Sequence, residues 1–178
     1  MRIKPNRMSW DDANRLYELE SKDIIIVLER SGVQVKNISP AGSLRRGRKT
    51  IGDLDIVVEV DNPQLAGKTL EDIMNYQFFA KGSFYKGRIL DMGIDLFIAG
   101  HHNFHSMLFF LTGCEDWNLR IMKHLKNNTD VRYTPFKFIN YKTKEVYDFN
   151  SEDDIFKIIK HSYVLPKDRK PQNIKFGE

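Results

Sequence analysis

One short apolar segment constrains the fold of this chain more than any other feature of its sequence. The segment runs from Leu54 to Val60 and reads LDIVVEV, and an Asn-Pro pair closely follows it. Its length, its β-branched residues and the Asn-Pro pair that ends it predict a mostly buried strand. Asp53 and Asp55 stand at its beginning, two residues apart. Because side chains alternate along a strand, both carboxylates are expected on the same side.

Carboxylates beside a buried strand are costly unless they are protonated, paired or bound to a metal. A third one, Asp95, lies in another predicted strand, within GIDLFIA. Mg²⁺ favours a few carboxylates together with waters and substrate phosphates. Asp53, Asp55 and Asp95 therefore predict a site for two Mg²⁺ ions, with Mn²⁺ able to substitute, at which a hydroxyl attacks a triphosphate.

The stretch just before the first two aspartates has the residues of an anion site. Gly42 allows close approach of the backbone to a phosphate, the Ser43 hydroxyl can donate to it, and Arg46 can bind it as a fork. A Gly-Ser pair alone is usually a turn, and Asp-X-Asp alone is often a surface feature. Their order within one stretch favours a phosphate loop next to a cation site.

Composition limits the class of protein. The 178 residues carry a net charge of +4, with 41% hydrophobic and 29% charged residues, as in an ordinary globular protein that suits a polyanionic partner. The single cysteine, Cys114, excludes an intramolecular disulfide. No run approaches the roughly 18 apolar residues of a membrane helix. We expect a monomer that is cytoplasmic or nuclear, or virus-encoded and carried in a virion, and that is neither secreted nor membrane-bound.

The pattern of elements divides the chain near residue 105. Residues 1–105 predict a mixed sheet that carries the chemistry. Its first helix is capped by Ser9, breaks near Ser21 and resumes as far as Gly32. A hairpin with its turn at Tyr85-Lys86-Gly87 leads into the strand of Asp95. Residues 106–178 predict a smaller α+β unit. Its last helix is capped by Ser151 and ends near Tyr163.

Three blocks of the sequence resemble the family X DNA polymerases, the group of DNA polymerase beta. They read GSLRRGRKTIGDLD, FLTGCEDWN and EDDIFKIIKHSYVLPKDR, and they occur in the family's order. The resemblance implies an α+β fold: a nucleotidyltransferase-type palm with a mixed β-sheet and flanking helices, and a small α+β thumb-like C-terminal subdomain. It also implies a DNA-directed DNA polymerase that fills short gaps during DNA repair, including base excision repair.

By position, the resemblance implies roles for individual residues. Asp53, Asp55 and Asp95 would be the catalytic metal ligands, with Asp95 facing the primer 3′-hydroxyl. The remaining residues implied to bind the nucleotide are Gly42, Ser43, Arg46 and Gly52 around the phosphates, Phe110, Thr112 and Gly113 beside the sugar, and Asn118 at the base edge. The Arg2-Ile3 pair looks like the start of the family's palm, where an arginine also meets the triphosphate.

The chain departs from the family's pattern at two places. Phe110-Leu111 replaces the common Tyr-Phe, which removes a hydroxyl beside the deoxyribose. Met122 stands where polymerase beta has an arginine against the template, so we expect weaker base selection.

The resemblance also implies DNA, gapped or nicked, and deoxynucleoside triphosphates as partners. The basic residues expected to contact DNA phosphates are Arg48, Lys49, Lys123, Lys126, Lys167, Arg169 and Lys170. No helix-hairpin-helix or lyase segment is visible, as in a minimal palm-and-thumb polymerase or a truncated chain. Two alternatives stay open: a template-independent nucleotidyltransferase acting on RNA or a small acceptor, and a catalytically idle DNA-binding protein.

Overall fold

The computed structural model of the protein describes residues 7–80, 84–89, 92–134 and 136–176. The chain separates into two compact units, Met1–His101 and His102–Glu178. No helix within the described ranges has the length and apolar character that crossing a membrane requires.

Within these ranges the first unit contains three helices and seven strands. The helices are α1 (Trp10–Arg30), α2 (Gly42–Arg45) and α3 (Pro63–Met74). The strands are β1 (Met8–Ser9), β2 (Val35–Pro40), β3 (Thr50–Ile51), β4 (Asp53–Val60), β5 (Gln77–Ala80), β6 (Phe84–Ile89) and β7 (Met92–Ala99).

The main sheet of the first unit is mixed. Its strand order is β2-β4-β7-β6-β5; β4 and β7 run parallel and the other neighbours antiparallel. Strands β1 and β3 form a separate antiparallel pair. The predicted α+β class with a mixed sheet is thus confirmed.

The two faces of this sheet differ in character. Leu54, Ile56 and Val58 of β4 point to one face, where they join a buried core with side chains of α1 and α3. Since side chains alternate, Asp53 and Asp55 point to the opposite face. We call that second face the carboxylate face.

Helix α1 begins as the sequence predicts and runs without the expected interruption. Ser9 accepts a hydrogen bond from the Asp12 backbone N–H, which is the predicted cap. The predicted break near Ser21 is wrong, because the helix continues to Arg30. Ile24 and its neighbours on the same face are buried, so tertiary packing stabilises the helix on both sides of Ser21.

The turn predicted at Tyr85-Lys86-Gly87 is also wrong, since these residues lie inside β6. Tyr85 is buried in the core, and its strand neighbours alternate to the carboxylate face. A Cβ on Gly87 would overlap the ring of Tyr76, so this glycine admits a neighbouring side chain instead of making a turn.

The second unit is a small α+β structure. Its elements within the described ranges are α4 (Phe104–Thr112), α5 (Glu115–Asn128), β8 (Val131–Thr134), β9 (Lys137–Asn140), β10 (Val146–Tyr147), α6 (Glu152–Ile158) and two short 3-10 turns (Pro166–Asp168 and Pro171–Asn173). The strands pair antiparallel in the order β10-β9-β8.

The core of the second unit is rich in aromatic side chains. Phe109, Trp117, Phe138 and Phe156 are all buried in one cluster. Helix α6 ends at Ile158, before the predicted Tyr163.

The early end of α6 has a local cause. Lys160 adopts a left-handed conformation with φ 55°, and the backbone N–H of His161 turns back to the carbonyl of Phe156 at 3.0 Å. This is a common way of closing a helix.

Candidate active site

Strand pairing places the predicted carboxylates beside one another. In the parallel ladder between β4 and β7, Asp55 lies directly opposite Asp95, and Asp53 lies opposite Gly93. All three aspartates therefore project from neighbouring positions of the carboxylate face. Sequences far apart in the chain form this group, although the i, i+2 spacing already predicted the first half of it.

The surroundings of Asp55 disfavour its ionised form. Burial raises its pKa to about 7, and repulsion from the nearby carboxylates of Asp53 and Asp95 contributes in the same direction. The positive charges of Arg46 and Lys86 lower the pKa and only partly offset this rise. A cation bound beside Asp55 would therefore stabilise the ionised form of its carboxyl group.

Gly42 brings the loop before β4 close to this carboxylate. Its φ is +52°, and a Cβ built on it would overlap Asp55 Oδ2. The backbone N–H of Ala41 also donates to the Asp55 carbonyl at 2.7 Å. Glycine is thus required at position 42 both for its backbone conformation and for the space that Asp55 occupies.

The carboxylates of this face are not arranged around one metal position. Among the described residues, no group of three or more His, Cys, Asp or Glu side chains is gathered closely enough to hold a metal ion. Asp95 instead pairs with Lys86, whose Nζ lies 2.9 Å from Oδ1. Three carboxylates are an all-oxygen donor set, which is the kind that Mg²⁺ prefers.

A basic pocket adjoins Asp53. It has a volume of about 660 Å³, and its walls include Ser43, Arg46, Gly52 and Arg7. The Ser43 hydroxyl is buried and has no hydrogen-bond partner within the described ranges. A buried hydroxyl of this kind is suited to an oxygen of a bound ligand.

The predicted DNA contacts Arg48 and Lys49 lie exposed at the edge of the same pocket. With Arg7 and Arg46 they make it strongly attractive to a phosphate chain.

Arg7 is a member of this pocket that sequence reasoning missed. The pair singled out in the sequence, Arg2-Ile3, lies outside the described residues. Arg7 donates through Nε to Thr50 Oγ1 at 2.9 Å and through Nη2 to the Thr50 carbonyl at 2.5 Å. The two-residue pairing of β1 with β3 brings it there, and so short a strand leaves no periodic signal.

The second unit contains the other predicted nucleotide contacts. Phe110, Gly113 and Asn118 line an apolar pocket of about 440 Å³, together with Met122. Thr112 is fully buried and does not line this pocket, and its place beside a sugar stays a prediction.

The Asn118 amide is engaged within the protein. Its Nδ2 donates to the Phe110 carbonyl at 2.8 Å, and its Oδ1 accepts from the Tyr133 hydroxyl at 3.3 Å. In this conformation Asn118 shapes the pocket. A side-chain amide has two donor hydrogens and two acceptor lone pairs, so contact with a base edge does not require the loss of either bond.

Most of the predicted DNA contacts of the second unit are exposed, and one is not. Lys123, Lys126, Lys167 and Lys170 are all accessible to a large ligand. Arg169 is fully buried, and its guanidinium forms two 3.0 Å hydrogen bonds with Glu152. The prediction that Arg169 contacts DNA is therefore wrong.

Comparison with known proteins gives a distant relative. No family model matches the chain. The DNA polymerase/3′-5′ exonuclease PolX of Bacillus subtilis (strain 168) is 28% identical to it over 123 residues, which are 66% of this chain and 21% of PolX. The chain thus spans about a fifth of the length of this relative. The similarity is that of distant homology to a DNA polymerase.

Proposed function

We propose that this protein is a family X nucleotidyltransferase that adds deoxynucleotides to a DNA primer under the direction of a template. The observation that carries the proposal is the register of Asp55 opposite Asp95, on a sheet face next to a basic pocket. Homology to PolX supports a polymerase over other nucleotidyltransferases. Filling of short gaps during DNA repair is the use that fits this reaction.

In the proposed reaction Asp53, Asp55 and Asp95 would hold two Mg²⁺ ions. When bound, such ions supply Lewis acidity that lowers the pKa of the primer 3′-hydroxyl and offsets charge on the triphosphate. Asp95 would be the carboxylate on the side of the primer and would accept the hydroxyl proton. The 3′-oxygen then forms a bond to the α-phosphorus while the bond to the leaving pyrophosphate breaks.

The basic pocket beside Asp53 holds the triphosphate. Ser43 Oγ donates a hydrogen bond to it, and Arg46 contributes a charged donor. Arg7 adds a second guanidinium from the start of the unit, where its bonds to Thr50 fix its position. The Gly52 backbone faces the same pocket.

The proposed role of residues 1–105 is that of the palm, and residues 106–178 bind the nascent base pair and DNA. The apolar pocket of Phe110, Gly113 and Met122 suits a flat base and sugar. Six exposed basic residues supply the phosphate contacts along the DNA: Arg48, Lys49, Lys123, Lys126, Lys167 and Lys170.

The test is primer extension on one-nucleotide-gapped DNA with Mg²⁺ or Mn²⁺ and each triphosphate in turn. We expect addition of the templated nucleotide, and we expect Asp95→Ala to lower its rate by at least about a thousandfold. Asp72→Ala is the matched control, because Asp72 is an exposed carboxylate on α3.

Other outcomes identify the alternatives. Equal addition with and without the template strand would indicate a template-independent transferase. Binding of the gapped DNA with no addition in either metal would indicate a DNA-binding protein that lacks the activity.

A further inference from the structure

Lys86 lies at the centre of the carboxylate face. It stands on β6 directly opposite Asp95 on β7, and its Nζ lies 2.9 Å from Asp95 Oδ1. Directly opposite Asp95 on the other neighbouring strand is Asp55. A lysine, an aspartate and a second aspartate thus form one row across three adjacent strands.

The position of the Lys86 ammonium is further defined by an aromatic pair. Its Nζ lies 4.9 Å from the centre of the Phe84 ring, which stacks on Phe97 at 4.6 Å. A cation over an aromatic face gains a modest attraction that does not prevent it from moving. Two contacts therefore define the position of the ammonium: the ion pair with Asp95 and the ring of Phe84.

The ion pair is also accessible. The side chain of Lys86 is 41% exposed and that of Asp95 is 23% exposed. An ion pair with this exposure is worth little to stability, because water competes for both partners. Its cation can consequently be replaced by another one without loss of the fold.

We propose that Lys86 is the resident counter-ion of Asp95, which a divalent metal must displace. This inference rests on the proposed function, since it assumes that Asp95 is a metal ligand. Loading of Asp95 is then an exchange of cations: the carboxylate loses the ammonium and gains the metal. Lys86 keeps the carboxylate face from accumulating charge when no metal is bound, and it weakens metal binding in return.

Mn²⁺ titration of the whole protein tests the exchange without any measurement of activity. The free ion is followed by electron paramagnetic resonance in the absence of nucleotide and DNA. Lys86→Met keeps an unbranched stem over Phe84 and removes the charge. We expect it to bind Mn²⁺ about five- to tenfold more tightly, the effect of one positive charge removed at short range.

Three further variants are the controls. Lys86→Arg retains a cation opposite Asp95 and should bind Mn²⁺ with an affinity within about threefold of the wild type. Lys68→Met removes the same charge from an exposed position on α3, which packs on the other face of the sheet, and should change the affinity less than twofold. Asp95→Asn should lose the Mn²⁺ that depends on this carboxylate. Thermal melting verifies that each variant is folded.

Unchanged or weaker Mn²⁺ affinity in folded Lys86→Met would overturn the proposal, as would an equal gain in Lys68→Met. Failure of the proposed function gives a different result. In that case the wild type and Asp95→Asn bind Mn²⁺ equally well, so Asp95 is not a metal ligand and the exchange does not exist.

Discussion

Arg169 in the second unit and Lys86 in the first each pair with a carboxylate and lie over an aromatic ring, yet their surroundings differ. Arg169 is fully buried and binds both oxygens of Glu152, and its guanidinium lies near the rings of Phe109 and Phe156. Lys86 pairs with Asp95 at the surface, where its side chain is 41% exposed. An ion pair beside an aromatic ring thus has two roles in this protein. The buried pair is a fixed part of a core, and the exposed pair can exchange its cation.

The largest expected effect concerns the buried pair. Arg169→Met leaves the Glu152 carboxylate buried without its cation, and we expect the free energy of unfolding to fall by about 3–5 kcal/mol. Urea denaturation at neutral pH measures this. The double variant Arg169→Met with Glu152→Leu removes both charges and should recover more than half of the loss. If the single variant loses less than about 1 kcal/mol, Arg169 does not stabilise the core as a buried cation.

Asp55 is half-buried beside two other carboxylates, so it is intermediate between the fully buried and the exposed groups. Its pKa of about 7 in the folded protein exceeds its ordinary value of 3.8. Between these values the folded protein holds a proton that the unfolded chain does not, so the free energy of unfolding falls as the pH rises from about 4 to 7. Above pH 7 the penalty remains in full.

Asp55→Asn should therefore stabilise the metal-free protein by about 2 kcal/mol at pH 8 and by much less at pH 4. Denaturation in a chelating buffer at both pH values measures the difference. A gain of equal size at the two pH values would show that the ionised carboxylate is not its cause.

A smaller effect is expected on DNA binding, where the exposed Lys170 should contribute and the buried Arg169 should not. Lys170→Ala should weaken binding to gapped DNA about two- to fivefold and reduce the slope of log K against log salt by about one. The Arg169→Met, Glu152→Leu double variant should leave that slope unchanged. Fluorescence anisotropy over a salt series measures both. A slope that changes with the double variant alone would reverse the assignment of these two neighbours.

The smallest effect is expected for the stability of the exposed pair. Lys86→Met should change the free energy of unfolding of the metal-free protein by less than about 1 kcal/mol. Thermal melting beside Arg169→Met gives the direct comparison. A loss as large as that of the buried pair would mean that Lys86 is a structural residue and not an exchangeable one.

Local pattern determined much of what could be predicted. The strand that begins at Asp53, the strand that contains Asp95 and the cap at Ser9 follow from periodicity and from side chains a few residues apart. Those features depend on neighbours in the chain, so their physical causes are visible in the sequence. The shared side of Asp53 and Asp55 is one such consequence, because strand geometry alone requires it.

Only the tertiary structure decided which cations face which carboxylates. Lys86 looked like part of a turn, and its place opposite Asp95 depends on the pairing of β6 with β7. Arg7 lies beside Gly52 because the two-residue strand β1 pairs with β3. The sequence predicted Arg169 to be a surface cation, and in the structure it is fully buried. Exposure and cross-strand contact arise from segments that are distant in the chain, and the amino-acid pattern around one residue carries no record of them.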